Sequence, residues 1–135
     1  MTYIYSDGGR AEAGYKGDAS DCVVRAIAIV TDRLYDEVYR EVANYMAENG
    51  EPRSARNGIP TKLLKKYFAD HGWEWIPIMS IGSGTTVHLR YKELPKGRII
   101  ARVTRHVVAC IDGDVYDTYD PTREGTRAVY GYWRK

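Results

Sequence analysis

Residues 18–30 read DASDCVVRAIAIV, in which one cysteine separates small polar residues from a long apolar run. Ser20 and Asp21 are residue types that favour the N-cap of a helix. Beyond them the apolar side chains recur with the spacing of a broad helix face, at positions 23, 24, 27, 28 and 30. The pattern predicts a buried helix that carries Cys22 in its first turn.

The segments on either side of this helix predict an arm and two more helices. Residues 1–20 are rich in Gly, Ser and Asp without a sustained period, which predicts an irregular arm. A second helix is predicted over residues 35–49 and a third over residues 60–70. In both segments apolar residues recur at helical spacing, and Gly50 and Gly72 follow them.

The second half of the chain changes to the period of β-structure. Residues 73–79, WEWIPIM, predict a strand, and residues 85–94, TTVHLRYKEL, predict a short helix or an extended crossing. Four runs rich in Val, Ile and Tyr then predict an antiparallel meander: RIIARV, HVVACI, VYDTY and AVYGYW. This order indicates an α+β fold, with N-terminal helices packed on a C-terminal antiparallel β-sheet.

Length, charge and cysteine content restrict the class of protein. The chain of 135 residues fits a single domain, residues 1–135. Its 20 basic and 18 acidic residues lack the strong basic excess of nucleic-acid-binding domains, so a nucleic-acid partner is not expected. No apolar run approaches the roughly 20 residues of a membrane helix, and no secretory signal is visible. The lack of a visible secretory signal predicts a cytoplasmic protein, and in that reducing compartment Cys22 and Cys110 are expected to be free thiols.

The position of Cys22 favours the thiolate form of its side chain. The first turn of a helix offers N–H groups without intrahelical partners and the positive end of the helix dipole. Both lower a thiol pKa, and the sulfur becomes a usable nucleophile when a base lies near. Of the three histidines, His71 is explained as a C-cap of the third helix, and His88 lies in an ambiguous polar segment. His106 opens the apolar run HVVACI and faces the core helix, so its imidazole needs a partner or a function.

The turn after that run selects the carboxylate that lies beside His106. Asp-Gly at residues 112–113 is a strong signal for a β-hairpin. A two-residue turn pairs Val108 with Asp117, which puts Asp117 on the face of His106 and one diagonal step away. A three-residue turn puts Asp120 opposite His106 instead. The shorter turn is commoner for Asp-Gly, so Asp117 is the predicted orienter of the imidazole and Asp120 is its rival.

The remaining reactive and charged residues give weaker patterns. Cys22, Cys110 and His106 lack the spacing of a zinc site, so no metal is predicted. Cys110 falls in the middle of a predicted strand, where it is expected to be unreactive and turned away from Cys22, without a disulfide. Arg25 lies three residues after Cys22 on nearly the same helix face. We expect it to pair with Asp120 or an N-terminal aspartate, which leaves Asp117 to the histidine.

Two segments carry a resemblance to a known family. DCVVRAIA, at residues 21–28, and GRIIARVTRHVVACIDGDVYDT, at residues 97–118, resemble the papain-like cysteine peptidase superfamily, nearest to its small bacterial, C39-like and phage-encoded members. In that superfamily a cysteine begins the central helix, a histidine lies on a strand of the following sheet, and an Asp or Asn on the next strand orients it. The resemblance therefore implies a catalytic role for each matching residue: Cys22 as nucleophile, His106 as general base and acid, and Asp117 as orienter, with Asp120 as the rival.

The resemblance implies a thiol hydrolase that cleaves a peptide, isopeptide or other amide bond of a protein or peptide substrate, without a cofactor. Many members place a glutamine before the cysteine to bind the oxyanion, and YKGDAS, residues 15–20, contains none. The backbone N–H of Cys22, with Ser20 or the loop at Asp18, is the donor set that remains. The superfamily also contains transferases and inactive binders. The alternative function is therefore a non-catalytic papain-fold module, of phage origin, that holds a host protein or peptide in the host cytoplasm.

Overall fold

The computed structural model describes residues 1–17, 19–78, 87–90 and 93–135. Within them the chain forms three helices and six strands, in a mixed α+β arrangement. The helices are α1 (Cys22–Thr31), α2 (Tyr35–Glu48) and α3 (Thr61–Asp70). The strands are β1 (Tyr3–Tyr5), β2 (Glu74–Pro77), β3 (Arg98–Val103), β4 (His106–Ile111), β5 (Asp114–Asp117) and β6 (Gly131–Arg134).

The strands form one sheet in the order β1-β5-β4-β3-β6-β2. Only β3, β4 and β5 form the predicted meander, because β6 returns to pair with β3 rather than following β5. This placement stacks Trp133 of β6 on Phe68 of α3, with ring centroids 4.3 Å apart. The prediction that residues 1–20 are entirely irregular is also wrong, because β1 adds a parallel edge strand to β5. A strand of three residues is too short to show a period in the sequence.

The predicted helices agree with the structure to within one residue at the ends that differ. The helix predicted over residues 35–49 ends at Glu48, and the helix predicted over residues 60–70 begins at Thr61. The strand predicted over residues 73–79 is β2, and Met79 lies outside the described residues. In segment 85–94 the described residues form a single β-bridge, His88 with Ala128, and no helix, which agrees with an extended crossing. None of the described helices is long and apolar enough to span a membrane.

The sheet separates two hydrophobic cores. The helices cover one face, where α1 packs with alternate residues of β4, Val107 and Ala109. The residues between them, Val108 and Cys110, belong to the second core on the opposite face. Cys22 packs against the first core, so the sheet lies between the two cysteines, and both are free thiols. Of the two thiols, that of Cys22, at the start of α1, therefore lies at the end of the sheet where β4 begins.

Candidate active site

Cys22 is the first residue of α1 and is half-buried. Burial raises the pKa of its thiol, but a hydrogen bond with His106 and the positive charge of that imidazole lower it. The backbone N–H of Val107 donates to the sulfur, and the Arg25 guanidinium adds positive charge. These contacts outweigh burial, and the pKa of Cys22 lies below its usual value. The thiolate is favoured by specific partners as well as by the end of the helix.

His106 is the first residue of β4 and connects Cys22 to a carboxylate. Its side chain is 8% exposed, and Nε2 lies 2.5 Å from Oδ2 of Asp117. Since Nε2 is used in this way, Nδ1 is the ring nitrogen that remains for the sulfur. Burial lowers the pKa of His106, but the hydrogen bonds with Asp117 and Cys22 raise it to about 9. The two shifts act in the same sense, because each favours a thiolate on Cys22 beside an imidazolium on His106.

The strand parity of His106 differs from what the sequence suggested. His106 alternates with Val107 and Ala109, which face the helices, and it has the same parity as Val108 and Cys110, which lie in the core away from α1. The sequence predicted that His106 faces the helix. The imidazole nevertheless hydrogen-bonds Cys22. His106 and Cys22 are each the first residue of their element, so the two side chains meet at the end of the sheet.

The hairpin register that selects Asp117 is the predicted one. Asp112 and Gly113 have φ values of 49° and 88°, as a two-residue turn of type I′ requires, and Ile111 pairs with Asp114. Asp117, the last residue of β5, is 3% exposed and holds His106.

Asp120 is engaged elsewhere. Its Oδ1 accepts hydrogen bonds from the backbone N–H of Thr122, at 2.9 Å, and from the Thr122 hydroxyl, at 2.7 Å. It therefore holds the loop that follows β5.

A buried network around Arg25 supports Asp117, and the sequence did not reveal it. Arg25 is 9% exposed and donates to carboxylates on both sides, to Asp21 and, at 3.3 Å, to Oδ1 of Asp117. The expected partner was Asp120 or an N-terminal aspartate. Arg25 contacts an aspartate of the N-terminal part of the chain, Asp21, whereas Asp120 bonds Thr122.

The expectation that Asp117 is left to the histidine alone is wrong. Asp117 is shared, because one of its oxygens serves His106 and the other serves Arg25 and the backbone N–H of Thr118.

Asp21 occupies the N-cap position of α1, but its side chain does not cap the helix. The buried carboxylate accepts a hydrogen bond from the Tyr35 hydroxyl at 2.5 Å as well as from Arg25, and Arg10 lies 3.5 Å away. Asp21 therefore has the expected position, but the expectation that its side chain caps the helix is wrong. A buried carboxylate needs charged partners more than it needs one backbone N–H.

A cleft of about 250 Å³ opens beside the sulfur. Ser20, one of the predicted oxyanion residues, lines it together with Cys22 and His106. Asp18, the other, lies outside the described residues. The lining also contains residues that the sequence analysis missed: Asn57, Arg102, Arg105 and Val107. They come from a loop and from the β3–β4 hairpin, and nothing in their local sequence links them to Cys22.

Larger hollows of about 390 and 580 Å³ lie near the N-terminal arm, but neither is lined by a cysteine or a histidine. The other titratable candidates also lie apart from the cleft. His71 Nδ1 contacts the Tyr67 carbonyl at 2.8 Å, and His88 pairs with Glu93. Within the described residues no group of three His, Cys, Asp or Glu side chains is arranged to hold a metal ion. Cys22 and His106 both line the small cleft, and the carboxylate of Asp117 contacts the imidazole of His106.

Comparison with protein-family models, curated proteins and solved structures finds no match to this chain. A functional interpretation therefore rests on the residues themselves and on the geometry of the cleft.

Proposed function

We propose that this protein is a papain-like thiol hydrolase that cleaves a peptide, isopeptide or other amide bond. Cys22 is the nucleophile, His106 the general base and acid, and Asp117 the orienter. The observation that carries the proposal is the meeting of three groups: the Cys22 thiol and the His106 imidazole are close enough to shift each other's pKa, and Nε2 of that imidazole lies 2.5 Å from Oδ2 of Asp117. A helix that begins at the cysteine and packs on the strand of the histidine supports a papain-like packing.

The charges of the pair suit acyl transfer. The Cys22 thiolate attacks the carbonyl carbon, and the C=O electron pair moves to the oxygen. Collapse of this intermediate breaks the C–N bond while the His106 imidazolium gives its proton to the leaving amine. Water then attacks the thioester carbonyl while His106 takes a proton from that water. Cleavage of the C–S bond releases the carboxylic acid and leaves the Cys22 thiolate beside the His106 imidazolium.

The developing oxyanion needs donors that do not themselves carry negative charge. The backbone N–H of Cys22, at the first residue of α1, has no intrahelical partner and is one donor. Ser20 and Asn57 line the same cleft, and their side chains are the further donors of this proposal. Asn57 takes the place of the glutamine that residues 15–20 lack.

A second candidate function is a non-catalytic module that holds a host protein or peptide in the same cleft. Tyr119 favours it, because this residue is 48% exposed and its ring lies 5.4 Å, centroid to centroid, from the His106 ring. An exposed aromatic side chain beside a charged cleft is a common element of a peptide-binding surface. The hydrolase requires a free Cys22 thiol, so we place the protein in a reducing cytoplasm, that of the host if it is phage-encoded. We propose the same compartment for the binding module.

The test combines hydrolysis with pH. A mixed peptide library is incubated with the wild type and with Cys22→Ala, and new termini are identified by mass spectrometry. We expect cleavage by the wild type alone. Its rate should fall at acid pH as Cys22 is protonated, and again above a pH of about 9 as His106 loses the proton that the leaving amine needs. Peptides that are retained equally by both proteins without cleavage would favour the binding module.

A further inference from the structure

We propose that Arg102 and Arg105 form a carboxylate-binding subsite in the cleft beside Cys22, so that an acidic group of the substrate lies next to the scissile bond. This inference deepens the proposed function and rests on it. It names a substrate class, peptides with a carboxylate near the cleaved amide.

The two arginines are held at the reacting sulfur by the β3–β4 hairpin. Arg102 pairs in register with Val107, whose backbone N–H donates to the Cys22 sulfur. Arg105 directly precedes His106 in the tight turn between the strands, and both guanidinium-bearing residues line the cleft. A group bound to them is therefore within a residue or two of the attacked carbonyl.

Among the described residues that line the cleft, the positive charge of the two arginines has no acidic counterpart. No Asp or Glu lines it within the described part of the chain, and neither arginine forms an ion pair there. Arg102 is half-buried and its guanidinium donates to the Thr61 hydroxyl, at 3.4 Å, and Arg105 is exposed. By contrast, Arg25 and Arg33 each contact two carboxylates. Two guanidinium groups without an anion, beside an imidazolium, suit a carboxylate ligand.

The backbone at Arg105 provides a clean variant for the test. Its φ is 55°, in the left-handed region, where Gly and Asn are more comfortable than a long side chain. Arg105→Asn should therefore fold at least as well as the wild type. For Arg102 the polar variant is Arg102→Gln. The matched control is Arg134→Gln. Arg134 lies on β6 and forms an exposed ion pair with Glu74 of β2, and neither residue lines the cleft, so this variant removes an equal charge elsewhere.

Iodoacetate and iodoacetamide form a probe pair that differs in one negative charge. The ratio of their alkylation rates at Cys22 cancels the thiolate fraction and measures only the preference for a carboxylate. We expect this ratio to fall about threefold in Arg102→Gln and in Arg105→Asn, and roughly tenfold in the double variant, since partly exposed charge contacts are weak individually. Arg134→Gln should keep the wild-type ratio. An unchanged ratio in the double variant overturns the subsite.

Binding to Cys22→Ala tests the subsite without the nucleophile, so that failure of the hydrolase proposal does not hide the result. Peptides with a Glu at each position along the chain are compared with their Gln counterparts, and peptides with a free C terminus with their amides. We expect the best Glu peptide to bind several-fold tighter than its Gln counterpart, and the preference to disappear in the Arg102→Gln, Arg105→Asn background. A preference for the free C terminus alone assigns the subsite to a terminal carboxylate. Equal binding in every pair overturns it.

Discussion

Cys22 and Cys110 carry the same functional group on opposite faces of one sheet, and the contrast between them shows how position sets thiol chemistry. Cys22 begins a helix and contacts an imidazole and a backbone N–H, which together bring its pKa below the usual value in spite of burial. Cys110 lies in the middle of β4, where burial and the charge of Asp117 raise its pKa to about 12. Partners that stabilise the thiolate, rather than exposure alone, distinguish the two thiols.

The largest expected effect is the difference in their alkylation rates. With iodoacetamide at neutral pH, Cys22 should react on the order of a thousand times faster than Cys110, because a thiol with a pKa near 12 is almost wholly protonated. Peptide mapping after timed labelling of the folded protein measures both rates. Comparable rates at the two sites would remove the basis for treating Cys22 as the nucleophile.

Loss of the Arg25 ion pairs should lower the free energy of unfolding. Arg25→Gln leaves the carboxylates of Asp21 and Asp117 buried without their shared cation. Loss of one partner from a buried ion pair destabilises a protein by about 3–5 kcal/mol. Urea denaturation should show a loss of this size. Arg40→Gln, which removes an exposed ion pair with Asp36, should change the free energy of unfolding by less than about 0.5 kcal/mol. Similar small losses in both variants would contradict the network.

The two candidate carboxylates can be separated by a matched pair of variants. Asp117→Asn should bring the pKa of His106 down, since the carboxylate is one of the groups that raise it. The imidazolium then supports the thiolate less, and Cys22 labelling at pH 6 should slow about tenfold, the equivalent of one pKa unit. Asp120→Asn alters only the contacts with Thr122 and should leave the labelling rate unchanged. The reverse pattern, with both variants folded by circular dichroism, would reassign the orienter to Asp120.

What could be predicted from the sequence is what local signals encode. The start of α1, the three helices and the Asp-Gly hairpin each depend on neighbouring residues, and the hairpin register follows from its turn. The register selects Asp117 although eleven residues separate it from His106. Local sequence signals were therefore enough to predict that Asp117 lies beside His106 and that Cys22 begins a helix.

The remainder depends on packing between distant segments. The pairing of β1 with β5, the return of β6 to β3 and the convergence of Asn57 and Arg102 on the cleft join parts of the chain that no local period relates. Asp21 is instructive, because its sequence position fits an N-cap, yet the folded chain brings Arg25 and Tyr35 to the same carboxylate. The buried Asp21 carboxylate forms its hydrogen bonds with Arg25 and Tyr35 rather than with the backbone N–H groups of the helix start that its N-cap position predicts.

The smallest expected effect belongs to the second cysteine. Cys110→Ala removes one sulfur atom from the core that also contains Val108 and Val115, and the small cavity should cost about 1 kcal/mol of unfolding free energy. Because the sheet separates this core from Cys22, the alkylation rate of Cys22 should stay at the wild-type value. Urea denaturation and timed labelling of the same preparation measure both quantities. A Cys22 rate that changes several-fold would mean that packing on the far face of the sheet controls the geometry of His106 and Asp117. The contrast between the two thiols would then arise from one coupled core rather than from two separate environments.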